Sequence, residues 1–168
     1  MDFFEKTDDL DAGNKIVLAN IAYSLFALGQ ANEAISQFQK IIELDRNDIH
    51  SWLSFAEFSI QNEIQVENIG IEAARKALLL DKNNAKANAL LGRAYTLLGD
   101  GVLSRRLLEN ALALDENEAM THYYLGLHFL TLDLNPELAR SYFEKTIALG
   151  EKQFWALQAS EITNQFAP

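Results

Sequence analysis

Four stretches of this chain read alike. They are Ile35–Asp45 (Ile-Ser-Gln-Phe-Gln-Lys-Ile-Ile-Glu-Leu-Asp), Ala73–Asp81, Leu107–Asp115 and Tyr142–Gly150, and their last residues lie 36, 34 and 35 positions apart. A period in the mid-thirties constrains the fold more than any other feature. One such unit is too small to bury an apolar face by itself, so successive units must stack and share a continuous core.

A second recurring segment lies between these stretches: Ala19 to Leu28, Trp52 to Gln61, Ala89 to Leu98 and Tyr123 to Leu132. Gly29 and Gly99 follow two of them, as glycine follows helix C-termini. Asn14, Asp48 and Asn84 stand at N-cap positions, and Asn135-Pro136-Glu137 reads as cap, first helical residue and dipole-matched acid. Each unit is therefore helix, turn, helix. The units fall at 15–48, 49–84, 85–118 and 119–153, with residues 1–14 before them and a capping helix at 154–168 after them. The surplus residues of the second and fourth units are expected in turns, around Gln61 to Glu67 and Asp133 to Pro136, where length changes leave packed helices undisturbed. The fold class expected is all-α.

Small residues recur at matched places. The eighth slot of each unit holds Ala22, Ala56, Gly92 and Gly126, and the twentieth holds Ala34, Gly70, Ser104 and Ala139. Small side chains let the two helices of a hairpin approach, and a leucine there would overpack the crossing by about 1–3 kcal/mol. Ile21, Phe55, Leu91 and Leu125 occupy the seventh slot and Phe38, Ala74, Leu108 and Phe143 the twenty-fourth. In this pattern the chain resembles the tetratricopeptide repeat family. The resemblance implies an α-α superhelix, a right-handed solenoid of about four helix hairpins. Two departures stand out. The family usually ends each unit with proline, where this chain has Arg46, Lys82, Glu116 and Glu151. The aromatic residue near the start of the unit survives only as Trp52, with Asn88 and His122 in its place.

At the ends, Trp155, Ala159, Ile162 and Phe166 share one helical face opposite Gln153, Gln158, Glu161 and Asn164, which suits a capping helix with a polar outer side. Phe3-Phe4-Glu5-Lys6-Thr7 nearly copies Tyr142-Phe143-Glu144-Lys145-Thr146, so residues 1–14 read either as part of a preceding repeat or as an acidic tail.

Charge and composition exclude several functions. With 14 Lys and Arg against 24 Asp and Glu, the chain carries a formal net charge of −10 and repels phosphate backbones and anionic lipid surfaces. No nucleic-acid partner and no membrane insertion are expected. The opening Met1-Asp2-Phe3-Phe4-Glu5 lacks the basic and apolar regions of a secretory leader, so a cytoplasmic location is expected. There is no cysteine, hence no disulfide or thiolate chemistry. His50, His122 and His128 form no metal-ligand spacing, Gly99-Asp100-Gly101 reads as a turn rather than a phosphate loop, and no nucleophile elbow occurs. No catalytic residue, cofactor or metal is assigned, and the chain is expected not to be an enzyme.

The working surface is then one of shape. The resemblance implies that the first helices line a concave groove and that the second, fifth, ninth and twelfth slots face the ligand. Carried over, these slots supply Tyr23, Phe26, Leu53, Glu57, Ile60, Lys86, Arg93, Met120, Tyr123 and Leu127 as partner-binding residues. Most are apolar or aromatic, and a contiguous apolar strip marks a binding site. Lys86 and Arg93 suit a carboxylate. The expected partner is a protein or peptide, apolar with an acidic group, held as an extended segment or an amphipathic helix by a scaffold or assembly factor. A chaperone-type carboxylate clamp does not fit, because Ala19 and Tyr23 stand where it needs Lys and Asn. The alternatives left open are a self-associating structural domain or homodimer, the repeat portion of a larger enzyme, and an accessory protein of cytochrome c maturation.

Overall fold

The computed structural model describes residues 14–150 and 154–165. Its elements are α1 (Lys15–Ala27), α2 (Ala31–Leu44), α3 (Ile49–Gln61), a π-helical turn (Val66–Gly70), α4 (Ile71–Leu80), α5 (Ala85–Leu97), α6 (Gly101–Leu114), α7 (Ala119–Thr131), α8 (Pro136–Leu149) and α9 (Phe154–Gln165). Among the described residues there is no strand, and no helix is long and apolar enough to cross a membrane. Helices pack in sequential pairs, α1 on α2, α3 on α4, α5 on α6 and α7 on α8. Each pair then lies against the next through its neighbouring helices, α3 beside α5 and α5 beside α7. The result is an all-α solenoid of helix hairpins.

Local chemistry starts and stops each rod. Asn14, Asp48, Asn84 and Asn135 each accept hydrogen bonds from first-turn amides, and Pro136 takes the first helical position of α8. Gly29 and Gly99, both at φ 80°, close α1 and α5. In each case an amide one residue on reaches back to the carbonyl five residues earlier, at 2.9 Å for Gln30 to Leu25 and 3.0 Å for Asp100 to Tyr95.

The missing prolines have a replacement. Asp45, Asp81 and Asp115 leave the helical region at the ends of α2, α4 and α6. Each carboxylate then accepts the amide of the residue two positions on, Asn47, Asn83 or Asn117, at 3.0, 3.1 and 3.0 Å. This aspartate turn halts the rod by offering the backbone a competing hydrogen bond.

The small slots work as expected from sequence. A Cβ on Gly92 would lie 2.5 Å from Leu108 Cγ, one on Gly126 2.4 Å from Phe143 Cε1, and one on Gly70 2.7 Å from Ile60 Cγ1. Eighth and twenty-fourth slots thus oppose each other across the hairpins of the third and fourth units.

Both surplus segments sit at turns. After α3 the chain passes through left-handed Glu63 (φ 54°) and Gln65 (φ 46°), then the π turn; before α8 it passes through Leu134 (φ 51°). The π turn takes up length that a regular helix start cannot, so α4 has 10 residues where α2, α6 and α8 have 14.

Two aromatic clusters sit on either side of an alanine-rich middle. Phe38 stacks on Phe55 at 5.3 Å and leans on Phe58 at 4.7 Å, joining the first two units. Tyr123, Tyr124, Phe143 and Trp155 gather around α7 with ring centroids 5.2 to 6.0 Å apart. Helix α9 packs on α8 and α7, burying Ala156 and Ala159. Its outer side is less polar than expected, because Phe154 and Leu157 are 58% and 56% exposed. The acidic or partial-repeat reading of the N-terminus falls on residues 1–13, outside the described residues, as do Glu151, Gln153 and Phe166.

Candidate functional site

The ten expected residues lie on α1, α3, α5 and α7, and the structure divides them into two tiers. Tyr23 is 43% exposed, and Phe26, Glu57, Arg93, Leu127 and Lys86 are half-buried. Leu53, Ile60, Met120 and Tyr123 are buried, and this corrects the expectation of an open apolar strip. The reason differs by residue. Ile60 lies against the backbone of Gly70, where a missing Cβ admits it. Tyr123 is covered by Trp155 of α9 at 5.2 Å. Spacing placed these side chains on the first helices but could not show that neighbours would cover them.

The cations divide in the same way. Lys86 Nζ lies 2.7 Å from Glu57 Oε2, and Gln61 Nε2 donates to Glu57 Oε1 at 2.8 Å. The pair Lys86–Glu57 therefore bridges α5 and α3 and is already satisfied. Arg93 differs: its side chain is 17% exposed, and its ion-pair partner, Glu63 Oε1, stands at 3.6 Å on an exposed side chain. Burial pushes the guanidinium below its usual range, with Tyr124, Glu63 and Tyr123 acting in opposition.

Charged side chains bear on phenols of neighbouring helices. Glu57 raises the Tyr23 phenol on α1 and the Tyr124 phenol on α7, in each case behind burial as the larger cause. The Tyr123 phenol is raised by burial, with Arg93 opposing and Glu161 adding.

Arg93, Tyr123, Tyr124 and Trp155, with Ile60 and Leu127, wall a cavity of about 110 Å³ between the lining helices and α9. Sequence reasoning missed Tyr124 and Trp155 here. Tyr124 occupies a slot adjacent to the ligand-facing one, and Trp155 belongs to a helix read only as a cap.

Two further polar features escaped the sequence. The first is a buried chain. Thr96 Oγ1 donates to Gly92 O at 3.0 Å, so Ser104 must donate to Thr96 at 2.7 Å, and His128 Nδ1 must donate to Ser104 at 3.0 Å. His128 Nε2 then faces Asp133 Oδ1 at 3.6 Å. Serine, histidine and aspartate meet, yet Ser104 is fully buried and its proton runs away from the imidazole. The arrangement is a strut between α5, α6 and α7, not a nucleophile and its base. The second is the start-of-unit aromatic. Trp52 Nε1 donates to Arg46 O at 2.8 Å, and His122 Nε2 makes the same bond to Glu116 O at 2.8 Å, again six residues back. Histidine therefore reproduces the tryptophan's tether to the preceding joint.

Helix hairpins stacked about small-residue crossings, with first helices lining one face, define an α-α solenoid of the repeat class. The family model for the tetratricopeptide repeat matches residues 17–48, within the first unit. The solved structure of TTC0263, a thermophilic TPR protein of Thermus thermophilus, superposes with TM-score 0.68 at 16% identity, covering 82% of this chain and 75% of that one. PilF of Pseudomonas aeruginosa gives 0.63 at 21% identity, covering 92% and 69%. MamA (41-end) of Desulfovibrio magneticus RS-1 gives 0.61 at 20% identity, covering 88% and 81%. No curated protein matches the sequence. The match to the tetratricopeptide-repeat family is thus to one unit of the chain, and at these identities the likeness of the whole to the solved structures is one of fold.

Proposed function

We propose that the chain is a non-enzymatic interaction module that holds a peptide or helix on its concave face, as a scaffold or assembly factor. The observation that carries this reading is that partly open side chains of four successive first helices remain on that face. Tyr23, Glu57, Lys86, Arg93 and Leu127 come from four successive first helices and remain at least partly open to solvent. Tyr23 is held edge-on by Phe38 and Phe58 at 5.9 and 5.6 Å, which makes it a rigid anchor with little rotamer entropy left to lose on binding. Leu53, Ile60, Met120 and Tyr123 are buried on the same helices.

Selection from a random peptide library tests the reading. Peptides chosen by the wild type should lose most of their affinity for Tyr23→Ser combined with Lys86→Glu, with unchanged circular dichroism, and should keep it for Lys76→Glu on the second-helix side. Selected peptides that ignore the first variant, or respond to the second, move the site off the concave face.

A further inference from the structure

Helix α1 has two sides that later first helices turn toward the unit before them. The seventh slot faces the preceding second helix: Phe55 stacks on Phe38 of α2 at 5.3 Å. The tenth slot also faces the preceding first helix: Phe58 meets Tyr23 and Phe26 of α1 at 5.6 and 5.5 Å. Both slots close in the second, third and fourth units. Phe55, Leu91 and Leu125 are at most 7% exposed, and Phe58, Ala94 and His128 are fully buried. In α1 the two slots diverge. Ile21 is apolar and 36% exposed, whereas Ser24 is polar and exposed, its hydroxyl donating to Asn20 O of its own helix at 2.8 Å. The side of α1 that would meet a second helix is apolar, and the side that would meet a first helix is polar.

The backbone at the start of α1 agrees. Caps that follow a second helix, Asp48, Asn84 and Glu118, have ψ of 104°, 109° and 106°. Caps that follow a first helix, Gln30, Asp100 and Asn135, have ψ of 64°, 82° and 86°. Asn14 has ψ 105° and belongs with the former. The sequence before it is in phase. Asp48, Asn84 and Glu118 stand ten residues after the twenty-fourth slot, and Asn14 stands ten after Phe4. Leu10-Asp11 matches Leu44-Asp45, Leu80-Asp81 and Leu114-Asp115, so Asp11 holds the place of the turn-forming carboxylate. Phe4 and Thr7 hold the twenty-fourth and twenty-seventh slots, which are at most 3% exposed in all four units. The misfit is Asp8, where the units have Ile42, Leu78, Leu112 and Ile147. That slot shares a groove with a lysine of the next second helix, Ile42 with Lys76 and Leu112 with Lys145. For Asp8 the equivalent lysine is Lys40, of opposite charge.

We propose that the side of α1 around Ile21 is the docking site of this chain's own residues 3–10, seated as the second helix of a preceding half-unit. Phe4 meets Ile21 as Phe38 meets Phe55, and Asp8 faces Lys40 across the groove between the segment and α2. Phase, turn chemistry and the direction of the chain at Asn14 select this occupant, and the polar Ser24 side of α1 selects a single helix over a whole hairpin. The half-unit covers the seventh slot and leaves Tyr23, in the ninth, on the concave face.

The test uses the full chain with labelled isoleucine methyls and phenylalanine rings. Nuclear Overhauser contacts between the Ile21 methyl groups and the Phe4 ring are expected, unchanged on dilution. In a mixture of chains labelled only at isoleucine with chains labelled only at phenylalanine, these contacts should vanish. Their persistence in the mixture would give the site to a second copy and overturn the proposal. Urea denaturation supplies an independent readout. Phe4→Ala should lower the folding constant by about ten-fold or more, because an aromatic contact is lost. Combined with Ile21→Ala, the loss should be at least about three-fold smaller than the product of the two single losses, since the residues touch. Asp8→Lys should cost about two- to five-fold, and adding Lys40→Glu should restore most of it, as for a surface ion pair with its charges exchanged. No contact between Phe4 and Ile21 in the wild type, indifference to Phe4→Ala, or a double variant equal to the product of its parts each overturns the docking. No recovery in the charge-exchanged pair overturns the register that sets Asp8 against Lys40.

Discussion

Gly126→Ala isolates the hairpin crossing on which the whole stack depends. The new Cβ would lie 2.4, 2.6 and 2.9 Å from three ring carbons of Phe143. Carbon–carbon contacts settle at about 3.5–4.0 Å, so ring and helix must part by more than about 1 Å. Phe143 is fully buried and its ring already touches Tyr123, with centroids 5.8 Å apart, so little room exists for retreat. Overpacking of this kind costs about 1–3 kcal/mol, occasionally more. Three simultaneous close contacts place it near the top of that range. Alanine's helix propensity returns about 1 kcal/mol. The net expectation is a loss of about 2 kcal/mol, or a melting temperature lower by about 4–8 °C for a chain of this size. Urea denaturation measures it, with Gly101→Ala as control. A Cβ on Gly101 meets Leu132 Cδ1 at an ordinary 3.6 Å, so that variant should be neutral or slightly stabilising. Phe143→Leu should relieve the clash, making the double variant at least about 1 kcal/mol more stable than additivity predicts. Gly126→Ala as stable as wild type, or strict additivity in the double variant, would refute the view that the crossing is set by that missing Cβ.

The buried strut predicts a pH dependence. Burial depresses the His128 imidazole below 6.5, with Asp133 opposing, so between its folded pKa and 6.5 the unfolded chain binds more protons. Its contribution is complete above pH 6.5 and is lost as the pH falls below it; an NMR titration of the ring should show a midpoint under 6.5, moved lower still by Asp133→Asn. Asp48 has the opposite charge and its own window. Hydrogen bonds from Lys15 and then Ser51 hold its carboxylate at about 2, against 3.8 unfolded, so its stabilisation stands above pH 3.8 and is lost as the pH falls from there toward 2. Because Asp48 also caps α3, Asp48→Ala should cost about 1 kcal/mol at neutral pH by urea denaturation, and no measurable cost would remove the cap from the account.

Much of the scaffold was legible because its signals are local. Asn14, Asp48, Asn84 and Asn135 cap helices through amides two or three residues away, and Gly29 and Gly99 adopt backbone angles that few other residues tolerate. Other features were present in the chain but not read. The recurring Asp45-Arg46-Asn47, Asp81-Lys82-Asn83 and Asp115-Glu116-Asn117 spell out the turn that replaces proline. His122 kept the tryptophan's donor though not its bulk. The candidate site was harder. Slot counting put Tyr23, Glu57 and Arg93 where they keep some exposure, but it also gave Ile60 and Met120, which their neighbours cover, and it passed over Tyr124, which lines the cavity beside Arg93.

The period, the small residues at eighth and twentieth slots and the capping chemistry are properties of the chain itself, because each acts within one hairpin or one turn. They suffice for stacked helix pairs with their first helices on one face. Which side chains on that face stay open depended on contacts between units: Trp155 lying over Tyr123, Lys86 reaching Glu57 across 29 positions, and Arg93 facing Glu63 at 3.6 Å. Burial and charge pairing at long sequence separation are set by how rods nest in three dimensions, and no spacing rule along one helix contains that information.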